Sequence, residues 1–244
     1  MHCIRPFPIL IIMIMASVKP IHVVIVAGGK GTRMGMALPK QFLQLDDKPI
    51  LFHTIAAFQR LLPDSIIHLV LPADDISKLQ MVLQHFENRI ELNVVVGGNT
   101  RYESVQNGLK NVPEDALVMV HDGVRPFINH ELLERLIQTA TMYGTAIPVL
   151  PVIESIRIRL DNQNSKAIDR NSLMIVQTPQ VFKSEILLAS MKGVYQEIFT
   201  DEATVVEQFG HKIHLVEGWR KNIKITTVED WELAQYWKQQ DISI

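Results

Sequence analysis

Ile21-His22-Val23-Val24-Ile25-Val26-Ala27-Gly28-Gly29-Lys30-Gly31-Thr32-Arg33-Met34-Gly35 is the stretch on which the reading of this chain turns. A short apolar run rich in β-branched residues predicts a buried strand, and it runs into a loop with four glycines. Positions without a Cβ let backbone N–H groups close on an anion. Arg33 inside the loop and Lys40 just beyond it, in Pro39-Lys40-Gln41, bring two cations to the same place. The loop fits neither common phosphate fingerprint. The dinucleotide pattern needs a third glycine where Met34 stands, and the P-loop needs Gly-Lys-[Ser/Thr], whereas Lys30 is followed by Gly31. An ordinary flexible turn would not need this concentration of glycine and positive charge.

Working outward from that strand, apolar runs alternate with amphipathic stretches. Helical spacing covers residues 49–61, 76–86, 102–109, 132–143, 183–191, 201–208 and 228–239, and strands are predicted at 66–71, 92–96, 116–120, 146–149 and 212–216. This alternation predicts an α/β fold, a Rossmann-like domain whose mainly parallel sheet is flanked by helices. Ligands of such sheets gather beyond the carboxyl ends of the strands. Residues 150–180 break the rhythm. Ile156, Ile158 and Leu160 alternate with Arg157 and Arg159, a polar turn follows at 161–165, and a return segment comes after it. That pattern predicts a β-hairpin arm over about 152–176, projecting from the sheet. Residues 21–244 read as one domain.

The balance of 24 Lys+Arg against 26 Asp+Glu gives a formal charge of −2, which offers no electrostatic case for a nucleic-acid or anionic-membrane binder. The single cysteine, Cys3, excludes an internal disulfide framework and makes a reducing cytoplasm the simplest compartment. Residues 1–20 form an extension. Its apolar run from Phe7 to Met15, behind Arg5, has the look of a signal peptide, is too short for a membrane helix of ~20 residues, and lacks a good cleavage site. A disordered extension, or a start at Met15, is expected in preference to export or a membrane role.

Further polar clusters fall at predicted strand or loop ends. Gly97-Gly98-Asn99-Thr100-Arg101-Tyr102-Glu103-Ser104 enters a helix whose N-terminus suits an anion or the polar edge of a nucleotide. His121-Asp122-Gly123-Val124-Arg125-Pro126 places Asp122 and Arg125 just past another strand, where a plain buried salt bridge is an equal alternative. Thr200-Asp201-Glu202 opens a helix and on residues alone reads as capping, with Thr200 as the N-cap. Asn222-Ile223-Lys224-Ile225-Thr226 reads as a strand with a solvated edge lysine. His211 and His214, three apart on a predicted strand, would face opposite ways and make poor co-ligands; His121 reads as a local hydrogen-bonding residue, and no structural metal is expected. Trp219, Trp231 and Trp237 read as packing residues.

Taken together, these clusters resemble a known family. Ala27-Gly28-Gly29-x-Gly31-Thr32-Arg33-Met34 is similar to the signature of nucleotidyltransferases that activate sugar phosphates. Its companions are Pro39-Lys40-Gln41, Gly97-Gly98-x-x-Arg101-x-x-Ser104-Val105, His121-Asp122-x-x-Arg125-Pro126, Asp169-Arg170-Asn171, Thr178-Pro179-Gln180, Thr200-Asp201-Glu202-Ala203, and Asp230 after Asn222-Ile223-Lys224. In that order they resemble the 2-C-methyl-D-erythritol 4-phosphate cytidylyltransferase family over about residues 21–237.

The resemblance implies attack of a substrate phosphate on the α-phosphorus of CTP with release of pyrophosphate. Such a meeting of two anions calls for neutralisation and in-line positioning rather than a protein nucleophile. It implies Arg33, Lys40, Arg170 and Lys224 as catalytic residues, the last two orienting the acceptor phosphate. It assigns Ala27, Gly28, Gly29, Gly31, Gly98, Asn99 and Ser104 to the nucleotide, and Asp122, Arg125, Ser155, Thr178 and Thr200 to the polyol phosphate. Mg²⁺ held mainly by CTP phosphates is the implied cofactor. A homodimer joined through the arm is the implied assembly, with Arg170 serving the neighbour's site; the apolar face of the arm needs a cover that a lone hairpin lacks. Family members often carry an acid where Asn99 stands and threonine where Ser155 stands. The amide keeps an acceptor but loses the charge, and the serine keeps the hydroxyl. The alternatives are a ribitol-5-phosphate cytidylyltransferase, which shares the glycine loop, a nucleotidyltransferase for another base and sugar phosphate, and a catalytically inactive homologue that keeps the fold.

Overall fold

Strand β1, Ile21–Val26, has a four-residue stretch buried on both sides, and its side chains divide between two cores. Val23 and Ile25 face one core and Val24 the other, as a period of two demands in a sheet covered on both faces. The structure is a computed structural model that describes residues 19–29 and 38–240. The expectations placed on Gly31, Arg33 and residues 1–18 lie outside the described residues.

In chain order the elements are a small hairpin, β2 (Gln44–Leu45) and β3 (Lys48–Pro49), then α1 (Ile50–Leu61), β4 (Ile66–Leu71), α2 (Gln80–Leu83), β5 (Asn93–Val96), α3 (Arg101–Leu109), β6 (Leu117–Asp122), α4 (His130–Tyr143) and β7 (Thr145–Pro151). The arm is β8 (Ile156–Arg159) and β9 (Ser165–Ile168), followed by β10 (Met174–Val176), β11 (Gln180–Lys183), α5 (Ser184–Ser190), α6 (Glu202–Gln208), β12 (Leu215–Glu217) and α7 (Val228–Gln239). The main sheet runs β10-β7-β11-β6-β1-β4-β5, with β12 alongside β7. Strands β6, β1, β4 and β5 are mutually parallel, as expected, whereas β11 is antiparallel to both β6 and β7.

Helices α1 and α4 cover one face of the sheet through Leu51, Ile55, Phe58, Leu132 and Leu136. Helices α3, α5 and α6 cover the other through Val105, Leu187, Val205 and Val206. Helix α3 lies close to the sheet because Gly108 faces it: a Cβ there would fall 2.6 Å from Val24 Cγ1 and 2.8 Å from Val70 Cγ2. A third, smaller core under the β2–β3 hairpin takes Leu45, Ile50, Phe127 and Ile225, with Trp219, Trp231 and Trp237 packed at its margin, which is the packing role expected of the tryptophans.

Three expectations are corrected. The helix expected over 76–86 is a 3-10 helix from Ala73 to Leu79 followed by the four residues of α2. Residues 222–226 form no strand, so Lys224 stands on an irregular segment between β12 and α7. The strand expected at 212–216 begins only at Leu215, which leaves His211 and His214 before it; His214 instead bonds Thr145 Oγ1 through Nδ1 (2.9 Å) and stacks on Tyr143.

Candidate active site

Parallel pairing brings four strand ends to one edge. Val26 lies opposite both Val70 and Asp122, and Leu71 opposite Val96. Whatever follows these residues must therefore share one cleft, and the segments that do are Ala27–Gly29, Gly97–Arg101 and the end of β6. The cleft has a volume of about 260 Å³; Pro72 after β4, with Lys40, Gln41, Ser104, Val124 and Lys224, completes the described lining.

On the glycine-loop side, Ala27 N–H donates to Val70 O (2.9 Å), and its own carbonyl accepts from Gln41 Nε2 (2.9 Å). Gln41 also donates to Asp75 Oδ2 (3.1 Å), and Asp75 is paired with Lys78 at 2.7 Å. The first residue of the loop is thus pinned by a side chain 14 residues further along the chain. Lys40 is buried beside it, its Cε 3.4 Å from where a Gly29 Cβ would stand. A Cβ at position 29 would thus stand in ordinary contact with the lysine side chain, which shows how closely Lys40 lies along the loop.

The opposite wall is the start of α3, held by a reciprocal cap. Thr100 Oγ1 accepts from Glu103 N–H (3.1 Å), and Glu103 Oε2 accepts from the N–H groups of Asn99 (2.6 Å) and Thr100 (3.2 Å). Ser104 Oγ accepts from Gly98 N–H (3.1 Å) and donates to Thr100 O (2.8 Å). A Cβ on Gly98 would lie 2.3 Å from Glu103 Cβ, so the loop folds over the helix end only with glycine there. These bonds already engage the N–H groups of Gly98, Asn99, Thr100 and Glu103.

Asp122 is the floor. Its Oδ2 accepts from Arg125 Nε (3.1 Å) and stands 3.1 Å from Lys224 Nζ, while Arg101 lies 3.7 Å from Oδ1. Burial alone would raise the carboxyl pKa; Lys224, Arg101 and Arg125 together outweigh it and hold the group well below the usual carboxylate range. Asp122 is therefore an ionised acceptor, a poor proton shuttle and a good partner for hydroxyls. Arg125 is buried beneath it, donating through Nη1 to Asn222 O (2.9 Å), and does not line the cleft. Both readings of the Asp122–Arg125 pair are thus partly met, since the salt bridge is one side of a larger cluster.

Thr178, on a cis bond to Pro179, belongs to the same support. Its Oγ1 accepts from Asp122 N–H (3.1 Å) and lies 3.0 Å from His121 Nδ1. His121 Nε2 faces Arg125 O at 3.0 Å, and a carbonyl only accepts, so Nε2 carries the proton and Nδ1 takes the threonine hydroxyl's. Burial pushes the imidazole pKa down to about 4, which keeps that tautomer neutral. Thr178 thus sits under Asp122, with its hydroxyl engaged there.

Ser155, Arg170 and Thr200 are not brought to this cleft: all three are exposed and none lines it. Arg170 donates to Ile153 O at the root of the arm. The N-cap of α6 is Asp201, not Thr200, with its side chain accepting from Thr204 N–H (2.9 Å). Gln41, Arg101 and Glu202 each stand inside one of the sequence motifs, yet nothing local in the sequence marks an individual role for them. Arg101 donates to both carboxylate oxygens of the buried Glu202, at 2.5 and 2.9 Å. The separation of 101 residues hides that pairing from any local pattern.

The family model for 2-C-methyl-D-erythritol 4-phosphate cytidylyltransferase matches residues 21–240. Proteins of that name from Phocaeicola vulgatus and Bacteroides thetaiotaomicron are 42% and 44% identical, over 88% and 87% of this chain and 97% and 96% of theirs. The crystal structure of 4-diphosphocytidyl-2C-methyl-D-erythritol synthase from Anaerococcus prevotii superposes with a TM-score of 0.75 at 28% identity, covering 91% of this chain and 99% of that one. The Thermus thermophilus 2-C-methyl-D-erythritol 4-phosphate cytidylyltransferase gives 0.70 at 28% identity, covering 88% and 98%. With the fold, the strand-end cleft and matches over nearly the whole length in agreement, the chain belongs to the 2-C-methyl-D-erythritol 4-phosphate cytidylyltransferase family of nucleotidyltransferases.

Proposed function

We propose that this chain transfers the cytidylyl group of CTP to 2-C-methyl-D-erythritol 4-phosphate in non-mevalonate isoprenoid precursor synthesis. An oxygen of the acceptor phosphate forms a bond to the α-phosphorus while the bond to the bridging oxygen of the β-phosphate breaks, and pyrophosphate leaves with that electron pair. A phosphate nucleophile has no proton to lose, so no general base is needed; the demand is to bring two anions together in line. The observation that carries the reading is the convergence of Lys40, the Ala27–Gly29 loop, Asp122 and Lys224 on one cleft.

Lys40 and the loop N–H groups would neutralise the triphosphate, with Arg33 supplying a further cation. Gly98, Asn99 and Ser104 would hold the cytosine and ribose end. Asp122 would accept from acceptor hydroxyls, and Lys224, parked on Asp122 Oδ2 in this structure, would turn its ammonium to the acceptor phosphate. A divalent cation fits as a companion of the nucleotide. Among the described residues no group of three His, Cys, Asp or Glu side chains could cage a metal, and Asp122 is the carboxylate among the described lining residues. Mg²⁺ would accordingly be held mainly by phosphate oxygens, and when bound it supplies neutralising charge.

The assembly we propose is a homodimer through the arm. Ile158 and Leu160 of the arm, with Met174, Ile175 and Val176 of β10, are 40–64% exposed, a belt of apolar surface that a second copy would cover. Arg170, at the base of that belt and outside its own cleft, would then serve the partner's acceptor phosphate. A cytoplasmic location fits the supply of CTP; among the described residues no helix is long and apolar enough to cross a membrane. The test is pyrophosphate release from CTP and Mg²⁺ with methylerythritol phosphate and ribitol phosphate run side by side. Turnover with the former is expected, and turnover with ribitol phosphate alone would overturn the acceptor assignment.

A further inference from the structure

Arg101 joins parts of the site that are far apart in sequence. It opens α3 beside the proposed nucleotide loop, bonds Glu202 at the start of α6 with both prongs, and faces Asp122 Oδ1 at 3.7 Å. The pair is not needed to shape either helix end. The Gly98–Ser104 turn is closed by its own cap, and the α6 end is held by Gln180, which donates to Asp201 Oδ2 (2.9 Å) and accepts from Ala203 N–H (2.9 Å). What the pair does fix is the guanidinium. A planar fork gripped by a buried carboxylate cannot swing. Its 3.7 Å ion pair with Asp122 Oδ1 stops short of a hydrogen bond, while the other oxygen of Asp122 is already taken by Arg125 and Lys224.

We propose that Arg101 is a positioning residue for the acceptor: clamped by Glu202, it keeps Asp122 Oδ1 turned to the cleft yet open to a polyol hydroxyl. The inference rests on the reaction proposed above and adds a determinant of acceptor affinity to it. In Arg101→Lys a compact ammonium keeps the charge but cannot grip both Glu202 oxygens and face Asp122 at once. In Glu202→Gln the grip loses its charge and its second acceptor, which frees the guanidinium to close on Asp122 Oδ1 and compete with the hydroxyl.

Both variants, approached from opposite ends of the pair, should raise the KM for methylerythritol phosphate about tenfold. The Kd for CTP alone, measured by calorimetry, should stay within about twofold of wild type, because the nucleotide loop is self-supporting. An unchanged acceptor KM in Arg101→Lys beside an active wild type would overturn the role. So would a loss of CTP affinity as large as the change in acceptor KM, which is the signature of general collapse of the site. A wild-type protein inert with both substrates would instead overturn the reaction reading beneath it.

Discussion

The cleft floor and the arm both supply charged residues to the proposed reaction, yet the fold treats them in opposite ways. Asp122 is buried, and its carboxylate is surrounded by Arg101, Arg125 and Lys224, with Thr178 and His121 fixing the backbone beneath. Arg170 is exposed on a segment whose apolar neighbours are exposed too. A buried charge must bring its partners with it, because an uncompensated one costs several kcal/mol. An exposed arm bears no such demand. The difference teaches which parts of the site one chain can organise by itself and which wait for another surface.

The largest effect should come from the floor. Lys224→Ala or Lys40→Ala should lower kcat/KM by about 10²–10³-fold, the scale of losing one charge-stabilising donor in a closed site. Folding should survive in Lys224→Ala, since that side chain is part-exposed and Asp122 keeps Arg101 and Arg125. Activity within threefold of wild type would remove either lysine from the machinery.

Mixing separates the two regions more sharply. Arg170→Ala and Lys224→Ala proteins, each nearly inactive alone, should regain about a quarter of wild-type activity when combined and allowed to exchange subunits. In a heterodimer one of the two sites then receives an intact floor and an intact arm, and half the mixture is heterodimer. Activity no greater than the sum of the separate proteins would show that the arm does not cross to a partner.

Acid should attack the packed region first. Burial pushes His53, His68 and His121 down to about 4, so the fold holds them neutral while the unfolded chain charges them near pH 6.5. Between those values the unfolded state binds more protons. The stability contribution is therefore complete above about pH 6.5 and is lost as pH falls toward 4, at up to about 1.4 kcal/mol per pH unit for each histidine. The urea midpoint should drop steadily from pH 7 to pH 5; a flat profile would contradict the assigned neutral imidazoles.

The smallest effect on folding belongs to the arm. Ile158→Ser with Leu160→Ser should change the unfolding free energy of the isolated protomer by less than about 0.5 kcal/mol, as expected for exposed positions. The same variant should sediment as a monomer beside a parent that, on the proposed assembly, should sediment as a dimer. A large loss of protomer stability would mean the arm packs on its own chain.

The order of strands and helices was legible because burial leaves a period. Ile21–Val26 and Ile66–Leu71 are apolar runs in sequence whose interiors, residues 22–25 and 67–71, are buried in space, and the arm was visible in the alternation of Ile156, Ile158 and Leu160. Strands β10 and β11 were not separately legible. Their pairing with β7 and β6 is antiparallel and long-range, and Gln180–Lys183 runs straight into a helix with no turn signal between. Segment 73–86 misled because its apolar spacing suits a helix, while Pro72 and the two aspartates after it open a tighter 3-10 turn. Within the site, glycine and cation clusters announced themselves locally, but Lys224 read as an edge-strand lysine because its partner Asp122 is 102 positions away, a contact only the fold makes.

Sequence by itself determined the α/β class, the glycine loop at the end of the first strand and, through motifs in register, the family. Those are properties of local spacing and residue type, and they do not depend on how distant segments meet. Tertiary structure decided what each charge is doing. It placed Arg125 beneath the cleft, gave Asp122 its cations, set Thr178 under the floor, gripped Arg101 with Glu202 and left Arg170 outside its own site. Charges act through distance and burial, and in this chain both are set by segments that meet only when the sheet is assembled.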